Sequence, residues 1–320
     1  MAAAGVVISL GLAAPPGAAR AVADRSAGAL GSPFARSESG MAYVRSSQQV
    51  VLFGGTHVGA YWNDTWTWNG IKWHLESPLR SPQTRAAMGI AYDAARSQVV
   101  VFGGVNFWSL RDDTWAWNRR TWTRELPAVS PSPRRNAGMV YDSVRRQIVL
   151  FGGFTGRQFL NDTWIWDGTT WTEVFPAQSP SKRADFGMVF DAAMGQTVLF
   201  GGDGVGFYND TWAWDGTNWT QLTPPASPGK RYGFGLAFDA DRQQAVLFGG
   251  RDPSANFLAD TWTWDGTTWT QQFPPSGPSP RWYPGMADDQ ARHQVVLFGG
   301  AGAEYYGDTW TWDGTSWTQH

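Results

Sequence analysis

The stretch Asn161-Asp162-Thr163-Trp164-Ile165-Trp166-Asp167-Gly168-Thr169-Thr170-Trp171-Thr172 decides how the chain is read. Near-copies occur six times, with the leading aspartate at Asp64, Asp113, Asp162, Asp210, Asp260 and Asp308. Each copy follows a short apolar run closed by Phe-Gly-Gly, at Phe53, Phe102, Phe151, Phe200, Phe248 and Phe298. A period of 48–50 residues held over six units signals a repeat architecture.

Working outward, each unit opens on an arginine with a glycine four residues on: Arg36-Gly40, Arg85-Gly89, Arg134-Gly138, Arg183-Gly187, Arg231-Gly235 and Arg281-Gly285. In all but the first, an aspartate follows a further four residues on, where the first has Val44. The pattern inside a unit predicts four short strands. In the third unit these are A (138–141), B (147–151), C (163–166) and D (171–172). Asp167-Gly168 between C and D is a hairpin signal, because glycine supplies the positive φ that a tight turn needs. The second unit has Asn118-Arg119 there, which predicts a different turn.

A lone four-stranded meander cannot bury both of its faces, whereas six arranged radially bury one another's. Trp164 and Trp166, two apart, share a face of strand C, and Trp171 should pair with Trp166 on that face. Three such tryptophans per unit take 18 of the 21 in the chain and are expected to hold neighbouring units together. The sequence therefore predicts an all-β, six-bladed β-propeller of four-stranded antiparallel blades over residues 36–320, with blades starting near 36, 85, 134, 183, 231 and 281. No blade is shared between the two ends of the sequence, so closure is expected from blade 6 packing on blade 1 unless the chain is a fragment.

The Gly-Gly doublet, the aromatic strand C, the strand-D tryptophan and the arginine opening strand A resemble the kelch-repeat β-propeller family, in the form found in bacterial kelch repeat-containing proteins. The resemblance runs from Arg36 to His320 and departs from the usual pattern in its second strand-C tryptophan and its Asp-Gly turn. It implies a scaffold for recognition, and three enzyme possibilities that the residues sort. Kelch-type copper oxidases need a Tyr–Cys crosslink, and this chain has no cysteine. The iron motif of the kelch specifier proteins, Glu-x-x-x-Asp-x-x-x-His, begins at none of Glu38, Glu76, Glu125, Glu173 or Glu304. An activity of the sialic-acid mutarotase kind needs only acid/base and arginine groups at the channel mouth, for which Arg157, Asp203, Arg251 and Glu304 are the groups to inspect.

Residues 1–35 lie outside the repeat. The apolar run Val6–Ala14 is too short to span a bilayer, and small residues follow it. It reads as a signal peptide or a disordered leader, although no Lys or Arg precedes the run. The expected location is extracytoplasmic or secreted, with the cytoplasm as the alternative. A net charge of −2 offers no broad field for nucleic acid or anionic lipid. His57, His74, His293 and His320 have no ligand spacing, so neither a metal site nor a cofactor is expected.

Alternating strands put the recurrent arginine, Gly-Gly and aspartate on one face, which carries the B–C and D–A loops. The spacing from Gly-Gly to aspartate, with 8, 8, 8, 7, 9 and 7 intervening residues, holds all the length variation in the array. Variable loops on a rigid scaffold are where binding residues concentrate. The aromatics three before the aspartate (Tyr61, Phe159, Phe207, Phe257 and Tyr305, with Leu110 in the second unit) recur and read as packing. Residues that break the repeat are the candidates for ligand binding: Trp62, Trp108, Arg157, Tyr208, Tyr232, Arg251, Trp282 and Tyr306. Aromatics beside arginine suit stacking on a sugar or gripping a peptide. The six arginines and six aspartates of the array are expected to pair, leaving no cationic ring. The leading expectation is non-catalytic recognition of a protein segment or a glycan on this face. The alternatives are a sugar-processing enzyme and a structural module of a larger surface protein. Carboxylates converging with arginine at the mouth would favour the enzyme, and an exposed aromatic patch would favour recognition.

Overall fold

The computed structural model describes residues 31–320 apart from Trp108. The leader expectation, resting on the segment before residue 31, lies outside the described residues. Among these there is no helix, and six antiparallel four-stranded sheets follow one another along the chain, each in the order A-B-C-D. In blade 3 the strands are Gly138–Asp142, Gln147–Phe154, Phe159–Trp166 and Trp171–Val174. Strands A of the others are Gly40–Val44, Gly89–Asp93, Gly187–Asp191, Gly235–Asp239 and Gly285–Asp289. Each touches strand A of the blade before and after it, and the first touches the last, so the six make a closed inner wall around a channel.

Glycine opens every strand A for a steric reason. A Cβ on Gly89 would sit 2.9 Å from Met139 of the next blade, and one on Gly285 would sit 2.5 Å from Met41 across the closing seam. The inner strands can approach this closely only with hydrogen in that position.

The tryptophans behave as expected. Strand-C and strand-D indoles such as Trp166 and Trp171 are register partners with centroids 5.3–6.1 Å apart in all six blades. Each strand-D indole meets the Phe-Gly-Gly phenylalanine of the preceding blade at 4.8–5.3 Å. Its N–H donates to the Asp-Thr-Trp threonine of that same blade at 2.8–3.0 Å: Trp122 to Thr65, Trp171 to Thr114, Trp219 to Thr163, Trp269 to Thr211 and Trp317 to Thr261. Trp73 of blade 1 donates to Thr309 of blade 6 in the same way, at 2.8 Å. The ring therefore closes by the packing of blade 6 on blade 1, through the contacts used at every other seam.

Two local expectations change. The B–C loops are largely hairpin extensions. In blades 3 and 5 strands B and C run on past a bulge at the Gly-Gly, and in blades 1 and 2 they re-pair as Thr56–His57 with Ala60–Tyr61 and Val105–Asn106 with Ser109–Leu110. The blade 2 turn, expected to differ, keeps the common form. The Asn118 side-chain oxygen accepts from the N–H groups of Arg120 and Thr121, as Asp167 does from Thr169 and Thr170, and Arg119 takes φ +74°. Asparagine supplies the same acceptor as aspartate, so the turn survives without glycine.

Candidate functional site

The six repeat arginines do not form a cationic ring. Each makes a two-pronged pair with the aspartate of its own blade, the shorter contact being 2.6–2.7 Å: Arg36–Asp64, Arg85–Asp113, Arg134–Asp162, Arg183–Asp210, Arg231–Asp260 and Arg281–Asp308. The guanidinium also donates to the first glycine of Gly-Gly, as Arg134 does to Gly152, and the aspartate accepts from the first strand-C indole, as Asp162 does from Trp164. Burial works against ionising Asp113, Asp210, Asp260 and Asp308, yet their arginine partners hold all four carboxyls below the ordinary range.

Three of the candidate binding residues cover these arginines. Arg36 lies 4.6 Å from the ring of Trp62, Arg183 lies 4.1 Å from Tyr208 and Arg281 lies 4.1 Å from Tyr306. All three rings occupy the position two before the aspartate, and Trp62, only 7% exposed, is a packing residue in this setting. Arg157 is exposed at the tip of the blade 3 hairpin, and Glu304 is exposed in the blade 6 connection. Trp108 lies outside the described residues.

The other three candidates come together. Tyr232 lies 5.9 Å from Trp282, Trp282 lies 6.2 Å from Phe257, and the Arg251 guanidinium sits 4.9 Å from the Trp282 ring and 5.2 Å from Phe257. Phe207, 36% exposed, stacks on Tyr232 at 5.5 Å, so the recurring position read as packing joins the surface in blade 4.

These side chains stand on a regular frame. The second residue after each repeat arginine has φ between 49° and 63°: Glu38, Ala87, Asn136, Asp185, Gly233 and Tyr283. Each of their N–H groups donates to the carbonyl of its counterpart in the preceding blade at 2.5–3.3 Å, and Glu38 closes the circle on Tyr283. Just outside it, the residue after the arginine pairs with the residue after Gly-Gly: Ser37 with Thr56, Ala86 with Val105, Arg135 with Phe154, Ala184 with Asp203, Tyr232 with Arg251 and Trp282 with Ala301. The backbone is sixfold, yet the second position after arginine carries six different residues, as does the position after Gly-Gly.

The acids of the mouth, with Asn136 and Tyr283, come from blades 1, 3, 4 and 6. Asn136 donates to Asp185, and Asp203 and Tyr283 lie close enough to Asp185 to influence its titration. Burial raises the Asp185 and Asp203 carboxyls, and the charge of Asp185 adds to the effect on Asp203. Burial, with Asp185 nearby, pushes Glu38 up to about 7. Burial and the same acids hold the Tyr283 hydroxyl well above its ordinary range. Arg135 is the cation near these acids, its guanidinium 5.6 Å from the Phe154 ring. Below them the channel opens as a cavity of about 390 Å³ lined by the strands A. Of this mouth, the sequence reading reached Asp203, Tyr232, Arg251 and Trp282 and missed Glu38, Arg135, Asn136, Asp185 and Tyr283. The signal for the missed residues was the unlike residue at a fixed offset from an invariant arginine. Among the described residues no cluster suited to a metal ion is present.

A family model described as the KLHDC2/KLHL20/DRC7 Kelch-repeats domain matches residues 72–225, from strand D of blade 1 to just past strand D of blade 4. Together with six four-stranded blades in a closed ring, this match supports a kelch-repeat β-propeller. No curated protein matched it. A kelch propeller suggests a protein-interaction module.

Proposed function

We propose that this propeller recognises a protein segment at the channel mouth on its B–C/D–A face. The observation that carries the reading is the contrast between a sixfold backbone and unlike side chains at the mouth positions. Packing alone asks for the same residue six times, as it does for arginine, aspartate, threonine and tryptophan. The patch of Phe207, Tyr232, Phe257, Trp282 and Arg251 supplies aromatic anchors of the kind that dominate protein interfaces. A random-peptide display selection against the full chain tests this. Selected peptides should bind Trp282→Ala at least about tenfold more weakly and Phe273→Ser, on the outer rim, equally well. Peptides indifferent to Trp282→Ala would place recognition elsewhere.

A second reading draws on the convergence of Asp185, Asp203 and Glu38 with Arg135, the arrangement that favours a sugar-processing enzyme. Two neighbouring carboxyls that burial makes harder to ionise are suited to acid/base work. Interconversion of sialic-acid anomers, followed by NMR, should then exceed the spontaneous rate and fall with Asp203→Asn. An unaltered rate with the native chain removes this reading.

A further inference from the structure

We infer that the bound segment is held at a second place, the tips of the blade 1 and blade 2 hairpins, which take one of its apolar side chains; this rests on the protein-recognition reading above. Val58 and Phe107 stand at these tips, 75% and 59% exposed. Both have φ +46°, a left-handed backbone that strains a β-branched or aromatic residue. With Gly59 at φ +79°, the blade 1 tip is a tight turn for which Asn-Gly is the relaxed pair. The turn alone therefore gives no reason for valine. Packing gives none either, since most of each residue stays exposed.

The tips continue the aromatic patch of blades 4 to 6. Trp282 pairs through its backbone with Ala301, and Ala301 with Tyr305. The Tyr305 ring lies 4.5 Å from His57 of blade 1, and Tyr61 of that same hairpin lies 5.4 Å from Phe107 of blade 2. A run of contacts thus leads from Trp282 over the closing seam to the two tips. This end of it is uncharged. Residues 56–61 and 105–110 include no Asp, Glu, Lys or Arg, and burial together with the Arg36 charge lowers the proton affinity of His57, leaving it neutral at pH 7. A charged group of the segment would find no partner there, whereas an apolar one would bury exposed valine and phenylalanine. The adjoining loops of blades 3 and 6 expose Arg157 and Glu304. A charged rim around apolar anchors is normal in a protein interface and costly against the acyl layer of a membrane.

The peptides selected above provide the probe, against the full chain carrying Val58→Asn, Phe107→Asn or both. Asparagine tolerates the left-handed backbone, so each variant should melt at the parent's temperature or higher, and a loss of binding cannot be laid to misfolding. Peptides that need Trp282 should bind each single variant at least about fivefold more weakly. Replacing one apolar residue of the peptide by serine should cost a similar factor on the parent and little on the double variant, the sign that the groups meet. Peptides that lose binding on Trp282→Ala but keep it on both tip variants would overturn this inference and leave protein recognition standing. Phosphatidylcholine vesicles that bind the parent and not the double variant, with peptide affinity unchanged, would overturn it in favour of a membrane. Failure to select any peptide would remove both readings.

Discussion

Each repeat arginine is buried beneath its own blade's loops, and its charge is matched by one aspartate. In blade 2, Arg85 is fully buried and Asp113 is 14% exposed. Removing one member of such a pair leaves a buried charge without compensation, which costs about 3–5 kcal/mol. Asp113→Ala should therefore lower the unfolding free energy in urea by about that amount, and a change under about 1 kcal/mol would mean water reaches the arginine. Asp288 is the opposite case. It stands where other blades place Tyr43, Tyr92, Tyr141, Phe190 or Phe238, and it accepts the N–H of Ala240 at 3.2 Å. Burial raises its carboxyl from 3.8 to about 7. The folded chain then holds a proton that the unfolded chain has lost, so stability falls as pH rises from 3.8 to about 7 and levels off above. Glu38, raised to about 7 by burial, contributes with the same sign. Asp288→Asn should remove part of this slope. A stability difference from the parent that stays constant across that window would show that Asp288 titrates normally.

The C–D turn joins an element of one blade to the next. Gly216 of blade 4 has φ +99°, and Arg145, from the A–B turn of blade 3, crosses directly over it to donate to the Asp215 carbonyl. Arg96 meets Gly168, Arg242 meets Gly314 and Arg292 meets Gly70 in the same fashion. Blade 1 has Ser47 where the others place this arginine or Met194, and blade 2, its neighbour, is the one blade with Arg119 in place of the glycine. The two exceptions explain each other: with no side chain crossing, the turn tolerates a Cβ. Gly216→Ala should thus cost more than about 1 kcal/mol, partly recovered when Arg145→Ala is added. Arg119→Gly should be neutral or stabilising by up to about 1 kcal/mol, since only the αL strain is removed. Equal effects at the two sites would contradict the crossing argument. The pairing was open to reading in the sequence as two matched departures, but not interpretable until the neighbouring turns were seen to touch. The same holds for the mouth. Period, Asp-Gly turns and tryptophan spacing are local or periodic signals and gave the blades directly. Glu38, Asn136, Asp185 and Tyr283 meet only because the ring closes, which no local pattern encodes. Trp62 misled for the reverse reason, since an out-of-pattern tryptophan reads as exposed until Arg36 is found beneath it.

At the scale of the whole molecule, the seam between blade 6 and blade 1 is chemically the same as the five internal seams. Trp73 to Thr309, Trp73 to Phe298, Gly300 N–H to the Arg36 carbonyl and Glu38 N–H to the Tyr283 carbonyl reproduce the contacts found between consecutive blades. The repeat also reaches upstream of its arginine, where Pro33, Pro82, Pro131, Pro180, Pro228 and Pro278, each three residues before it, are all buried. From Ser32 onward, blade 1 therefore enters the ring as its neighbours do. Many propellers lock their ring by sharing one blade between the chain ends; here closure rests on side-chain packing and a few backbone hydrogen bonds between blade 6 and blade 1. It follows that Thr309→Val, at the closing seam, should cost what Thr163→Val costs at an internal one, about 1–2 kcal/mol for an indole N–H left without its acceptor. It also follows that the order of blades along the chain is immaterial to the ring. Joining His320 to Ser32 through a copy of Phe175–Gln178 and opening the chain between Gln178 and Ser179 should give a propeller that unfolds cooperatively, within about 1 kcal/mol of residues 31–320 in native order. A permuted chain that melts in two steps, or a Thr309→Val variant with no cost beside a costly Thr163→Val, would mean the closing seam is looser than its contacts imply. Matching values would mean that six equivalent interfaces hold the mouth in shape, leaving its unlike side chains free to serve recognition.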